Sequence, residues 1–388
     1  MLECKSNVVP YKHITVLIMP TDYCNMNCVY CFNYRRTFEK SNHISFDTIK
    51  KVFEITIPYY REVKFIWHGG EPLSMGIDFY KKVVDLQRMI NVSGTIIINS
   101  IQTNLSLMTD EFADFLVKNH FRIGSSFDGT TNEFTRHNTK NILNGHTLLE
   151  KKGGHNGFIY VIQKQNINRL IEDYEWFKKE NINYSLNTYM TDERHSTDFL
   201  AISCEEYIKR VNELFDYWIK DKNCNIKLGG FEEFITYFLY GTKNICCYNS
   251  CMGKYVGILY DGTIINCNRD FPQEYSYGTV FDYNEIKECF NSLGFNKMLK
   301  AAVARRKYCL KECEIYNFCQ GGCNSCSYMG GDISRVNLYF CENVKGVFYH
   351  IERFIDSIKE YNYKDIVEKF NPEFVEIAKE YFILKDNI

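Results

Sequence analysis

Proline is scarce, at 6 of 388 residues, so the chain has little material for long extended linkers. Strong charge of either sign is also missing. The 46 basic and 48 acidic side chains leave a formal net charge of -2. That balance speaks against nucleic acid or an anionic membrane as the main partner. No apolar run approaches the length of a membrane span. No secretory signal is visible: residues 1–13 carry Glu3, Lys5 and Lys12, and the apolar run Ile14–Met19 is too short for a signal core. These absences lead us to expect a cytoplasmic protein with no nucleic acid and no membrane among its partners.

What is present is a chain 45% hydrophobic and 24% charged, able to bury a sizeable core as one large domain or two ordinary ones. It also has 17 cysteines. Disulfides are disfavoured in a reducing compartment, so metal or redox chemistry is the leading reading of that number. Single thiols such as Cys4, Cys204, Cys224 and Cys289 have a plainer reading as small buried hydrophobes. The clustered ones do not.

From residue 14 to about 221, β-type runs alternate with helical patterns. The runs are Ile14–Met19, Val63–Trp67, Thr95–Gln102, Phe121–Phe127, Gly157–Ile162 and Tyr184–Tyr189. Helical segments lie between them, with N-cap chemistry at Ser45 and Thr109, and a helix at Glu205–Lys220 closes the series. Six β/α units imply an α/β fold with a parallel sheet, and six suit a partial (β/α)6 barrel. Such sheets bind ligands at the C-terminal ends of their strands. Cys24–Cys31, His68-Gly69-Gly70-Glu71, Gln102–Asn104 and Ser125–Gly129 all fall there. Further on, Asp261-Gly262 between two β runs predicts a hairpin, and residues 345–382 read as amphipathic helix.

Cys24, Cys28 and Cys31 have the spacing C-x3-C-x2-C, which chance would supply on the order of 0.03 times in a chain of this composition. A structural zinc site wants four closed ligands. Three thiolates suit a 4Fe–4S cluster with one iron left open. With Tyr30 at the aromatic position, this stretch resembles the radical S-adenosylmethionine (SAM) enzymes. The resemblance implies that the open iron binds S-adenosyl-L-methionine, whose reductive cleavage yields a 5′-deoxyadenosyl radical. It also implies SAM contacts at Tyr30, Gly69, Gly70, Glu71, Asn104 and Ser126. His68 and Asp270 are the candidate catalytic residues, although a structural or substrate-contact role for His68 is favoured.

A second cysteine field follows. Ten residues separate Cys251 from Gly262, four separate Gly262 from Cys267, and Cys309, Cys313, Cys319, Cys323 and Cys341 complete the set. This resembles the SPASM extension of radical SAM proteins, with three rather than two residues between Cys309 and Cys313. The resemblance implies two auxiliary 4Fe–4S clusters, three clusters in all. One would use Cys309, Cys313, Cys319 and Cys341. The other would use Cys251, Cys267 and Cys323, with a fourth ligand from Cys246 or Cys247 or an open iron. A pair of zinc sites is the alternative by ligand count. The expected organisation is a radical SAM partial barrel at 14–222, a bridging region at 223–250, an auxiliary-cluster domain at 251–345 and C-terminal helices at 346–388.

Enzymes of this kind act mostly on peptides and proteins. The anaerobic sulfatase-maturating enzymes are similar, but there an aspartate that serves as base follows the second SPASM cysteine. Here Asn268 follows Cys267 and cannot accept that proton. The residue before Gly69 is His68, where that family has glutamine. The lead reading is therefore a maturase of ribosomally made peptides that forms a thioether or carbon–carbon cross-link or epimerises a residue. Formylglycine formation is the alternative. Expected partners are a precursor peptide or protein substrate and a flavodoxin- or ferredoxin-type reductant; with only about thirteen residues before the first strand, leader binding needs either a separate leader-binding protein or the barrel and SPASM surfaces. The aromatic stretch Phe231–Tyr240 reads as core packing in preference to a peptide contact.

Overall fold

A computed structural model describes residues 11–33, 37, 42–190, 198–269 and 273–386. Among them nine strands form: β1 (Tyr11–Ile18), β2 (Tyr60–Trp67), β3 (Ile96–Gln102), β4 (Arg122–Ser126), β5 (Asn156–Ile162), β6 (Tyr184–Thr188), β7 (Leu228–Gly229), β8 (Tyr255–Ile258) and β9 (Ile264–Ile265). The chain divides into two compact units. The first comprises Met1–Ser125, His137–Asn156 and Cys251–Lys300; the second comprises Ser126–Arg136, Gly157–Ser250 and Ala301–Ile388.

In the first unit, β1, β2, β3 and β4 pair in parallel in that order. Helices Phe46–Thr56, Ile77–Ile90 and Asp110–Lys118 connect them. Ser45 and Thr109 cap the first and third of these helices by accepting from Thr48 N and Phe112 N. The ladder extends beyond the apolar runs read from sequence. Tyr11 pairs with Tyr60, so β1 starts three residues before Ile14. Those first three residues are exposed, and their backbone pairing leaves no hydrophobic signature.

The expected hairpin is present but shorter, with β8 and β9 antiparallel around Gly262, whose φ of 87° is open to glycine at no steric cost. Its first strand also pairs in parallel with β1, from Thr15↔Tyr255 to Ile18↔Ile258. No local signal announces that long-range pairing.

The second unit pairs β5, β6 and β7 in parallel. Phe177 stacks on Tyr184 at 4.1 Å, and Phe215, Trp218, Phe231 and Phe354 form a second aromatic cluster. The helix Glu232–Tyr240 packs Phe234 and Tyr237 on Phe318 and Phe238 on Phe348, so this aromatic stretch builds core, as expected. No helix among the described residues is long and apolar enough to cross a membrane.

Trp67, the last residue of β2, is fully buried edge-on to Phe79 and Tyr80. Its indole N–H donates to Asn99 Oδ1 at 3.1 Å, and Asn99 and Gln87 exchange two further hydrogen bonds. This anchor fixes where the chain leaves β2. Trp67→Ala should lower unfolding stability by about 3–5 kcal/mol, read from the urea midpoint; a loss below about 1 kcal/mol would reject the anchoring role.

Candidate functional site

The first-unit site is built where β1 and β2 end. Their parallel ladder continues into the two following loops. His68 N donates to Ile18 O at 2.9 Å, Gly70 N to Thr21 O at 3.0 Å and Glu71 N to Tyr23 O at 2.7 Å. The loop carrying Cys24, Cys28 and Cys31 is thereby laid against His68–Glu71. This closeness demands glycine. A Cβ on Gly70 would lie 2.0 Å from Tyr23 O, and Gly69 has φ 108° with Thr21 O 2.9 Å from its Cβ position.

Glu71 is 1% exposed. Its Oε1 accepts from Leu73 N at 2.9 Å and Thr103 Oγ1 at 2.7 Å, and its Oε2 from Asn104 N at 2.8 Å. It therefore ties the loop after β2 to the loop after β3. Asn104 is buried, and its amide is held within the protein. Its Oδ1 accepts from Ser106 N and Oγ, and its Nδ2 donates to Asn25 Oδ1 at 2.9 Å. Asn25 in turn donates to Ser106 Oγ at 2.8 Å. The ring of Asn25, Asn104 and Ser106 braces the cysteine loop between Cys24 and Cys28. Sequence reasoning missed Asn25 and Ser106; the spacing of an Asn inside the first x3 was the available signal. Tyr30 and Ser126 are half-buried, and Ser126 ends β4.

All three thiols are half-buried. Burial pushes Cys24 up to about 12, reinforced by the Glu71 carboxylate and then by Cys28 and Cys31. The three sulfurs are thus electrostatic neighbours, and ionising them together needs a cation among them. Metal binding here releases protons.

His68 Nδ1 accepts from Gly69 N at 2.7 Å, which leaves the ring proton on Nε2. Burial and the Arg269 guanidinium push the imidazole down to about 4. It is neutral at physiological pH and a weak base. Phe32, next to Cys31, lies 6.0 Å from the His68 ring, and the Arg269 guanidinium lies 4.0 Å over the same Phe32 ring. The Cys267–Arg269 segment therefore meets the first cysteine loop. Asn266 donates to Cys251 Sγ at 3.6 Å and accepts from Tyr277 OH at 3.1 Å. Asp270 lies outside the described residues.

In the second unit, one cavity is lined by Cys309, Cys313, Cys319 and Cys341, with Gly321 and Lys345. Cys309 and Cys313 lie one helical turn apart at the end of the helix Leu293–Glu312, joined by a 2.9 Å backbone hydrogen bond. The unexpected three-residue gap thus keeps both thiols on one face, since residues i and i+4 are neighbours on a helix. Cys341 enters from the first turn of Leu338–Ser357, capped by Asn337.

Burial pushes Cys319 up to about 12, with Cys341, Cys309 and Cys313 adding to it, and a hydrogen bond from Gly321 N–H opposing it. Burial likewise pushes Cys341 up to about 11, against the pull of Lys345 and Arg305. Of the adjacent pair, Cys246 is exposed, while Cys247 is raised by burial and then by Cys323 and Cys246. The sixteen described cysteines are free thiols. Among the described residues no three His, Cys, Asp or Glu side chains converge tightly enough to hold one metal ion.

Residues 18–177 match the family model described as the radical SAM superfamily. A cysteine-type anaerobic sulfatase-maturating enzyme of Clostridium perfringens is 25% identical over 366 residues, covering 88% of this chain and 98% of that enzyme. In fold, the chain is similar to native anSMEcpe with bound AdoMet and Kp18Cys peptide, with a TM-score of 0.80 at 23% identity, covering 89% and 99% of the two chains. It is also similar to Streptococcus suis SuiB bound to precursor peptide SuiA, with a TM-score of 0.60 at 16% identity, covering 85% and 76%.

Two outcomes follow for the first-unit site. Gly70→Ala should cost the protein about a third of the iron that three cubanes would hold, together with SAM binding; full iron and SAM binding would reject the close-packing account. Neutral His68 supports the fold fully above the ordinary imidazole value of about 6.5, and that support is lost as pH falls toward about 4. His68→Gln should therefore gain stability relative to the parent on acidification, read as urea midpoints at pH 7 and 4.5. An unchanged difference would contradict it.

The cysteine loop, the glycine-rich loop beside it and the family match together place a radical SAM domain at residues 18–177 of this chain.

Proposed function

We propose that this enzyme is a cytoplasmic peptide maturase that oxidatively modifies a ribosomally made precursor peptide. The observation carrying this reading is Asn268, which follows Cys267 in a segment that reaches the first cysteine loop through Arg269 on Phe32. An amide cannot take the proton that a formylglycine-forming route asks of a carboxylate base at that position. His68, held neutral with a weakly basic ring, does not replace it.

Cys24, Cys28 and Cys31 would hold the SAM-binding cluster. The donor set fits: three mutually repelling thiols on one loop, braced by Asn25 and by the Glu71 loop. When bound, that cluster and SAM supply a 5′-deoxyadenosyl radical able to take a hydrogen from the peptide. The chain's own residues position the loop and keep Cys24 away from bulk water. For an auxiliary cluster, Cys309, Cys313, Cys319 and Cys341 around one cavity fit a centre with several metal atoms. A single zinc would draw its sulfurs to about 2.3 Å from one point. The other auxiliary cluster rests on the cysteine pattern. Likeness to the SuiB fold, solved with its own precursor peptide, supports a peptide substrate. A small flavodoxin- or ferredoxin-type reductant and a separate leader-binding protein complete the proposed partners.

The second reading is sulfatase maturation with a different base. It is favoured by similarity to the Clostridium enzyme over 88% of the chain.

Anaerobically reconstituted protein should carry about twelve irons. Mass spectrometry of a short peptide encoded beside this gene should show the loss of two hydrogens after reaction with SAM. Cys28→Ala should abolish SAM cleavage. Conversion of a sulfatase peptide beside an unchanged precursor peptide would replace this reading by the second.

A further inference from the structure

Arg305 is fully buried. Its Nε donates to Gly321 O at 2.7 Å, its Nη2 to Gly322 O at 3.3 Å and Asn324 Oδ1 at 2.7 Å, and its Nη1 to Ile333 O. Every acceptor is neutral. Among the described residues no carboxylate lies within ion-pair distance of it. Asp332 senses its charge only weakly, and the Asp332 oxygens are taken by Ser334 N and Oγ. A buried cation whose hydrogen bonds are satisfied but whose charge is not is costly unless negative charge sits nearby. The thiols that act on Arg305 in that sense are Cys323, which lies outside the cavity set, then Cys309 and Cys326, and Arg305 in turn lowers Cys309 and Cys341 of the cavity set.

The backbone connects the guanidinium to those sulfurs. Gln320, Gly321 and Gly322 take successive positive φ values of 52°, 83° and 71°. A Cβ on Gly321 would lie 3.7 Å from Cys309 Sγ, and one on Gly322 would lie 3.8 Å from Cys319 Sγ. The two glycine carbonyls turn toward Arg305, while the Gly321 N–H turns toward Cys319 Sγ. One guanidinium therefore holds the glycine turn that packs against two of the four cavity thiols. As thiols, these groups leave Arg305 unbalanced; as thiolates of an iron–sulfur centre, they balance it.

We propose that Arg305 is a positioning residue and the fixed countercharge of the centre held by Cys309, Cys313, Cys319 and Cys341, raising that centre's reduction potential. Net charge and hydrogen bonds to sulfur are the levers that set such potentials. The inference rests on the cluster assignment proposed above.

The test uses full-length, anaerobically reconstituted enzyme and redox titration followed by electron paramagnetic resonance. The signal followed is the one that Cys319→Ala removes. Arg305→Met should shift that signal to more negative potential, and Arg305→Lys should restore it toward the parent value. Loss of about four irons in the Met variant, with retention in the Lys variant, also supports the proposal. A Met variant with full iron and an unchanged potential overturns it. So does loss of the iron from both variants, because charge would then be irrelevant beside packing. If the parent protein binds only about four irons, the cluster assignment itself fails, and that outcome is read before any Arg305 variant is made.

Discussion

Parallel pairing that outlasts its strands is the constraint on which the rest of the site depends. Three backbone hydrogen bonds past the ends of β1 and β2 press the cysteine loop against His68–Glu71. The contact is so close that Gly70 has no room for a single methyl group. Everything else in the first unit serves to hold that contact. Trp67 fixes the exit of β2 from inside the core. The Glu71 carboxylate fastens the neighbouring loop by three hydrogen bonds, and the Asn25–Asn104–Ser106 ring closes the remaining side. The geometry of this loop contact is thus inherited from strand register, since sliding β2 by one residue would turn its side chains to the opposite face.

The two described thiol sets sit in opposite fields. Cys24 is next to a buried carboxylate. Cys309 and Cys341 are next to Arg305 and Lys345. An added electron is disfavoured by the first neighbour and favoured by the second. Under the proposed cluster assignment, that difference suits one strongly reducing centre and one that accepts electrons. The protein obtains it from second-layer charges while the ligand type stays the same throughout.

Much of this was legible before any coordinates. The alternation of Val63–Trp67, Thr95–Gln102 and their successors with capped helices specified a parallel α/β architecture, because apolar periodicity and N-caps are local properties. The three clustered cysteines and Gly69-Gly70 were equally plain, since spacing and glycine carry their own chemistry. What was not legible depends on partners far away in the chain. The pairing of β8 with β1 has no local mark. Asn25 and Ser106 are ordinary polar residues until the fold brings them together. The assignment of Glu71 and Asn104 to ligand contacts came from resemblance; the hydrogen bonds that both make inside the protein had no local mark. Arg305 and Arg306 read alike on paper; only packing makes one of them a buried cation.

The extra residue between Cys309 and Cys313 sets Cys313 just past the helix Leu293–Glu312, one turn on from Cys309 and bonded to it through the backbone. Their separation is set by helical pitch, at about 5–6 Å between Cβ atoms, and it does not depend on anything being bound. One edge of the cavity is therefore set by the backbone at the helix end, while Cys319 and Cys341 come from separate segments.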